Sequence, residues 1–225
     1  MDTRAAWVIS LAVAVLSLYA CGGGGGSSNN PPPPPQTYAL NSAISAYEQE
    51  NHNYTLTANN GGNTYTFQLG FTPGSMGSFL GQSAFTGTSS GTLSENGTVI
   101  SNDIQTDYFL LGPFKPLGNV DTNGNVWIAS NQTALPDNAT IGGSGAFDTV
   151  TVYSNSTLTI VIGTFTETWT LNAGSGSDAI GCLNTVGTLN GVSETESVCY
   201  TIDANSNIIG LAITLDVNGT VLNFQ

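Results

Sequence analysis

The chain has 225 residues, a formal charge of −13, and two Lys or Arg against fifteen Asp or Glu. Charged residues make up 8% and hydrophobic residues 40%, so Thr, Ser, Asn and Gln must cover the surface, a composition that favours strands over helices. Nucleic-acid recognition and electrostatic adhesion to anionic lipid are excluded, because both depend on clustered cations.

Arg4 precedes an apolar stretch from Ala5 to Leu16, followed by small residues and Leu18-Tyr19-Ala20-Cys21. Such a charge, core and small-residue order is that of a secretory signal. The stretch is shorter than the about 20 apolar residues of a spanning helix and ends in glycines. Leu18 to Cys21 resembles the lipobox of bacterial lipoproteins, which implies cleavage before Cys21, acylation of its sulfur and removal of residues 1–20. Gly22, where an aspartate would hold such a protein at the inner membrane, implies the outer membrane of a Gram-negative cell. A single acyl chain binds weakly, whereas two or more give stable anchoring, so the membrane partner is reached through the acyl chains on Cys21.

Residues 21–35 are the lipidated cysteine and a tether of Gly, Ser, Asn and five prolines. Flexible coil followed by polyproline II spans about 30 Å. Residues 36–225 form a single β domain, and with Arg4 gone its only lysine or arginine is Lys115. Leu40, Ile44 and Tyr47 recur at helical spacing, which predicts one short helix up to Glu50, capped by Asn41 or Ser42 and placed to plug one end of the sheet.

Downstream the period changes from helix to strand. Tyr65, Phe67, Leu69 and Phe71 alternate with small or polar residues and predict one buried strand face. Asn-Gly pairs at 96–97, 123–124 and 218–219 predict two-residue hairpin tips. Counting outward from them sets Leu93 opposite Ile100, Val120 opposite Trp127, and Val217, Leu215 and Ile213 opposite Thr220, Leu222 and Phe224. Leu158, Ile160 and Ile162 share a face with Phe165, Trp169 and Leu171 if a bulge lies at Gly163. The dense apolar run over 103–118 reads as a core strand followed by an irregular loop, or as a ligand-lining loop. The fold expected is all-β, an antiparallel meander closed into a barrel of about 8 to 10 strands, with a β-sandwich as the alternative.

Cysteine count leaves Cys182 and Cys199 once Cys21 is assigned, and an even pair in an oxidising compartment predicts a disulfide. It closes a loop of about 18 residues and contributes roughly 3 kcal/mol. The enclosed segment, rich in Gly, Asn and Thr, reads as a long excursion held by that staple.

Catalytic motifs are sparse. His52 sits in a polar stretch and reads as a solvated loop residue, with no nucleophile elbow to complete a Ser-His-Asp set. Glu48 with Glu50 and Glu194 with Glu196 are spaced i, i+2 and read as solvated acids, the alternative being a glycosidase pair. Asp121 to Asn125 and Asp203 to Asn207 have the Asp-x-Asn-x-Asn spacing of calcium loops but lack the glycine and glutamate that complete one, and read as turns. Lys115 reads as solvated, and Trp127 and Trp169 as core. No catalytic residue, cofactor or metal is therefore expected.

Four stretches of the domain carry a further resemblance: Tyr108-Phe109-Leu110-Leu111-Gly112-Pro113-Phe114-Lys115-Pro116-Leu117-Gly118, Thr168-Trp169-Thr170-Leu171, Glu196 to Asp203, and Val217 to Phe224. In these the domain is similar to a loose group of β-rich lipoproteins of Gram-negative bacteria, a likeness that brings no activity and no site residue beyond Cys21. The function expected is a non-catalytic binding module for a small apolar ligand or peptide. The alternative is a structural or interaction protein whose solidly packed barrel contacts another envelope component. A cavity of about 300 Å³ or more distinguishes the first from the second.

Overall fold

The structure is a computed structural model and is described over residues 36–225; the signal, lipobox and tether assignments, including Cys21, lie outside the described residues. In chain order the elements are β1 (Thr37–Tyr38), α1 (Leu40–Tyr47), β2 (His52–Asn60), β3 (Asn63–Phe79), β4 (Gln82–Glu95), β5 (Thr98–Leu111), β6 (Phe114–Asp121), β7 (Val126–Ser130), β8 (Ala139–Thr140), β9 (Ser144–Tyr153), β10 (Val161–Ala173), β11 (Ala179–Leu189), β12 (Val192–Ile202), β13 (Ile208–Val217) and β14 (Thr220–Phe224). Twelve of these strands form one antiparallel sheet, from β14 back through β13, β12, β11, β10, β9, β7, β6, β5, β4 and β3 to β2, while β1 and β8 pair separately. Thr57 and Gln225 exchange backbone hydrogen bonds of 3.0 and 3.1 Å, so the sheet curls until its two edges nearly close a barrel. Among the described residues no helix is long and apolar enough to cross a membrane.

Two-residue tips build this meander. Asn96-Gly97, Asn190-Gly191 and Asn218-Gly219 all have positive φ at both residues, the geometry whose twist matches that of the flanking strands. The register at Asn218-Gly219 is the expected one, pairing Leu215 with Leu222 and Ile213 with Phe224. At Asn96-Gly97 a bulge intervenes, so that Leu93 pairs with Ser101 instead of Ile100. At Asn123-Gly124 the connection is longer than two residues, and Val120 pairs with Val126, not with Trp127. Asp121 explains the difference. Its Oδ1 accepts the backbone N–H groups of Asn123 and Asn125 at 2.8 and 2.9 Å, and its Oδ2 accepts the Asn125 amide at 2.7 Å, stabilising the wider turn.

The strand count exceeds the eight to ten expected because several strands carry Gly, Thr or Glu at inward positions. The segment between the cysteines is one such case. It is a regular hairpin, β11 and β12, rather than a loose excursion, and Cys182 and Cys199 are directly paired across it and bridged. The register of β10 on β9 shifts between Val161 and Gly163, which supplies the expected bulge. Leu158 and Ile160 nevertheless precede the strand, and Ile160 is exposed.

The inner face holds the main core. Tyr65, Phe67, Leu69 and Phe71 all join it, together with Ile213, Leu215, Leu222 and Phe224. The run 103–118 is likewise a regular hairpin, not a strand and an irregular loop. Its density arises because both faces are covered: Phe109 and Phe114 point into the main core, while Tyr108, Leu110 and Leu117 pack against Phe79 and Ala84 from the β3–β4 hairpin. Elsewhere the outward positions of the wall carry hydroxyls, as in the paired rows Thr151, Thr164 and Thr188 and, beside it, Thr149 and Thr166.

Helix α1 packs against β6 and β13. Its start is not capped by Asn41 or Ser42; instead Asp137, from a distant loop, accepts both the N–H and the hydroxyl of Ser42 at 2.9 Å. Asn41 is thereby free for a tertiary role. Its side chain bonds the carbonyl and N–H of Phe114 at 3.3 and 3.1 Å, and Ser45 donates to the Leu111 carbonyl at 2.8 Å. These contacts seat the helix against the β5–β6 turn.

A candidate ligand cavity lined with buried acids

Packing inside the barrel is incomplete. A cavity of about 230 Å³ runs from the C-terminal end of α1, at Tyr47 and Glu48, to the stacked rings of Trp127 and Phe165, which lie 5.5 Å apart. One end is aromatic. His52 stacks on Tyr47 with ring centroids 3.7 Å apart and planes inclined by 5°, and Tyr47 meets the edge of Tyr200 at 5.3 Å. His52 is thus the first residue of β2 and part of the cavity wall, not a solvated loop residue, and its Nε2 lies 2.7 Å from the Tyr47 carbonyl, to which it donates.

Four acids are set into the rest of the wall among mostly apolar side chains such as Phe109, Phe147, Val150 and Leu183. Glu48, Asp107, Asp148 and Glu167 all line the cavity, and among the described residues no lysine or arginine does. Burial pushes the Glu48 carboxyl up to about 8, with the charge of Asp107 adding to it. Burial also pushes Asp107 up to about 7, against the opposing effect of hydrogen bonds from Ser89 and Gln105 at 2.5 and 2.8 Å. Asp148 and Glu167 are paired across β9 and β10 and face one another; burial raises both, Asp148 to about 6 and Glu167 well above the carboxylate range. Thr185, paired with Glu167 on β11, donates to its Oε1 at 2.8 Å, and Glu196 pairs with Thr185 in turn. A single rung of the barrel therefore carries three carboxyls and a hydroxyl.

The i, i+2 pairs read from the sequence do not act as pairs of solvated acids. Glu48 is in the cavity whereas Glu50 is exposed in the following turn. Glu194 is pushed up to about 7 by burial, and Glu196 is only 4% exposed. Both calcium-like loops are turns: Asp203 repeats the bonding of Asp121, its Oδ1 accepting the N–H groups of Asn205 and Asn207, each at 2.8 Å. Those bonds, chiefly from the Asn207 side chain, hold the Asp203 carboxyl below its usual range. Among the described residues no group of three or more His, Cys, Asp or Glu is arranged to hold a metal. Lys115 is half-buried beside Leu110. Trp127 is buried in a smaller core cluster with Val152, Phe165 and Leu189, and Trp169, partly buried, packs against the main core.

Asp107, Asp148 and Glu167 were not singled out by motif, yet two were visible in the alternation. Glu167 lies between Phe165 and Trp169 at the same parity, and Asp107 lies two residues before Phe109. Asp148 follows a register shift between Glu167 and Thr168, which removes the parity signal. No protein-family model matches the chain, and neither the curated proteins nor the solved structures contain a significant match.

Proposed function

We propose that the chain is a lipid-anchored envelope protein whose β domain is a non-catalytic binding module for a small ligand held inside the barrel. The cavity carries this reading. At about 230 Å³ it falls short of the roughly 300 Å³ set above as the mark of a ligand-binding interior, yet it exceeds the about 150 Å³ that suffices for benzene, so the reading narrows to a very small ligand. The ligand that fits is accordingly small, and the aromatic wall favours an apolar body. A solidly packed barrel acting only through its surface accounts less well for an interior that leaves this space beside Tyr47, Tyr200 and Phe165.

The anchoring half of the proposal rests on the lipobox at Leu18 to Cys21 and on the spacer of residues 22–35. It places the domain in the bacterial envelope, with the outer membrane preferred on the strength of Gly22. Membrane attachment then comes from acyl chains alone, since a chain this poor in cations gains nothing from anionic headgroups. Native mass spectrometry of the acylated protein, purified rapidly from its own cells, is expected to show a retained small molecule. A spectrum of empty protein only would overturn the binding role. Replacing Cys21 by serine is expected to release the protein from membranes, and unchanged partitioning would overturn the anchoring.

A further inference from the structure

We infer that the occupant of the barrel cavity is a small organic ammonium ion with an apolar body, its charged end set between the carboxylates of Glu48 and Asp107 and the rings of Tyr47, Tyr54 and Tyr200. The inference deepens the ligand-binding reading above and rests on it. Charge is the first argument. Four carboxyls line the wall and among the described residues no lysine or arginine opposes them, while the Nε2–H of His52 is committed to the Tyr47 carbonyl. A carboxylate or phosphate ligand would find no cation to pair with and would hold the wall's acids in their protonated form, whereas a cation supplies what the wall lacks.

Unanswered polar groups are the second argument, and they are independent of the first. Asp148 is only 3% exposed and, apart from the Glu167 carboxyl facing it, neither of its oxygens meets a partner. Asn119 Oδ1, an acceptor on β6 paired with Asp107, is also buried without a partner among the described residues. Native interiors answer nearly all such groups, and a hydrocarbon occupant would leave every one as it is. The Glu48 carboxyl borders the cavity directly as well. The aromatic end completes the set, because tyrosine faces attract ammonium groups once water is excluded.

Protons balance the buried acids when the cavity is empty. Glu48 and Asp107 are near enough for the charge of one to act on the other and line the cavity with Tyr47, Tyr54, Tyr200 and His52, and Asp148 and Glu167 share a rung with Glu196 and Thr185. An ammonium ion binds the ionised acids, so its entry displaces protons, and its affinity must rise with pH over the interval in which Glu48 and Asp107 titrate, about 7 to 8.

Isothermal titration of the full acylated chain in detergent, with 2-phenylethylamine, 2-phenylethanol and phenylacetate at pH 6, 7 and 8, tests this. The amine is expected to bind with proton release and with affinity rising about tenfold or more from pH 6 to 8, the alcohol about tenfold more weakly and without pH dependence, and the acid not at all. Glu48→Gln should lower the amine's affinity by about tenfold and leave the alcohol's unchanged. Asp107→Asn serves as the second variant, with melting curves reporting whether each folds. Alcohol binding as tight as amine binding at all three pH values overturns the ammonium inference and leaves the binding module standing. Absence of binding by all three compounds also overturns it, and joined to an empty native mass spectrum it removes the binding module as well.

Discussion

Asn41 and Phe114 bind each other as two strands would: the side-chain amide of Asn41 donates to the Phe114 carbonyl, and its oxygen accepts the Phe114 N–H. The helix thereby continues the hydrogen bonding of a strand end that no other strand extends, and Asn41 is 4% exposed. Asn41→Ala leaves both Phe114 groups unanswered in a buried place and is expected to cost about 1–3 kcal/mol in urea unfolding. Asn41→Asp should cost at least as much, because a carboxylate cannot donate to the carbonyl. An unchanged midpoint in both variants would show that the helix is held by its apolar face alone.

The raised acids fix the pH dependence of the empty domain. Glu48, Asp107 and Asp148 have folded values of about 8, 7 and 6, all above those of an unfolded chain, so the folded state holds more protons between about pH 4 and 8. Their favourable contribution is complete below the unfolded values and is lost as pH rises through the folded ones. Thermal melting is therefore expected to be highest near pH 4 to 5 and to fall toward pH 8. Glu48→Gln should flatten that fall, by about 2–4 °C for each kcal/mol recovered at pH 8 in a domain of this size. A melting temperature that climbs from pH 5 to 8 would contradict the burial of these groups.

The bridge between Cys182 and Cys199 joins positions that the hairpin already pairs, with a sequence separation of 17. Its stabilisation then comes mainly from restricting the unfolded chain. Replacing both cysteines by alanine is expected to cost about 3 kcal/mol in denaturant titration. Amide exchange should show the register of β11 on β12 intact, since Asn190-Gly191 sets it independently.

Gly118 has φ of +146°, and a Cβ there would lie 1.9 Å from the Trp127 carbonyl and 2.8 Å from the Phe79 ring. The missing side chain is what allows Phe79 to lie against the outside of β6, stacked 4.8 Å from Tyr108. Gly118→Ala should destabilise the domain by about 2–4 kcal/mol and expose Phe79 to proteolysis of the β3–β4 tip. Wild-type stability in this variant would mean that β6 can shift without loss.

Alternation and turn chemistry made the inner face of β3 and the closing hairpin at Asn218-Gly219 readable, because large apolar residues and the tip agreed on one register. Where they failed, a local hydrogen bond or bulge had taken over, as with Asp121 widening the turn after β6 and the displaced Ile100 after Asn96-Gly97. The hairpin between the cysteines was obscured for another reason: its inward residues, Thr185, Gly187, Glu194 and Glu196, are those a solvated loop would have. For the site, His52 and Glu48 stand in a polar stretch of sequence whose pattern is that of a solvated loop. Only the nearly closed wall reveals that strands far apart in sequence enclose them, and periodicity carries no information about which barrel staves meet across the interior.

The acids drawn into the barrel also change what the chain's composition means. The formal value of −13 describes an extended polymer; the folded molecule, with several of those carboxyls still holding hydrogen, migrates in an electric field as a less anionic particle. Collapse of the chain near neutrality must accordingly draw hydrogen ions from the surrounding solution.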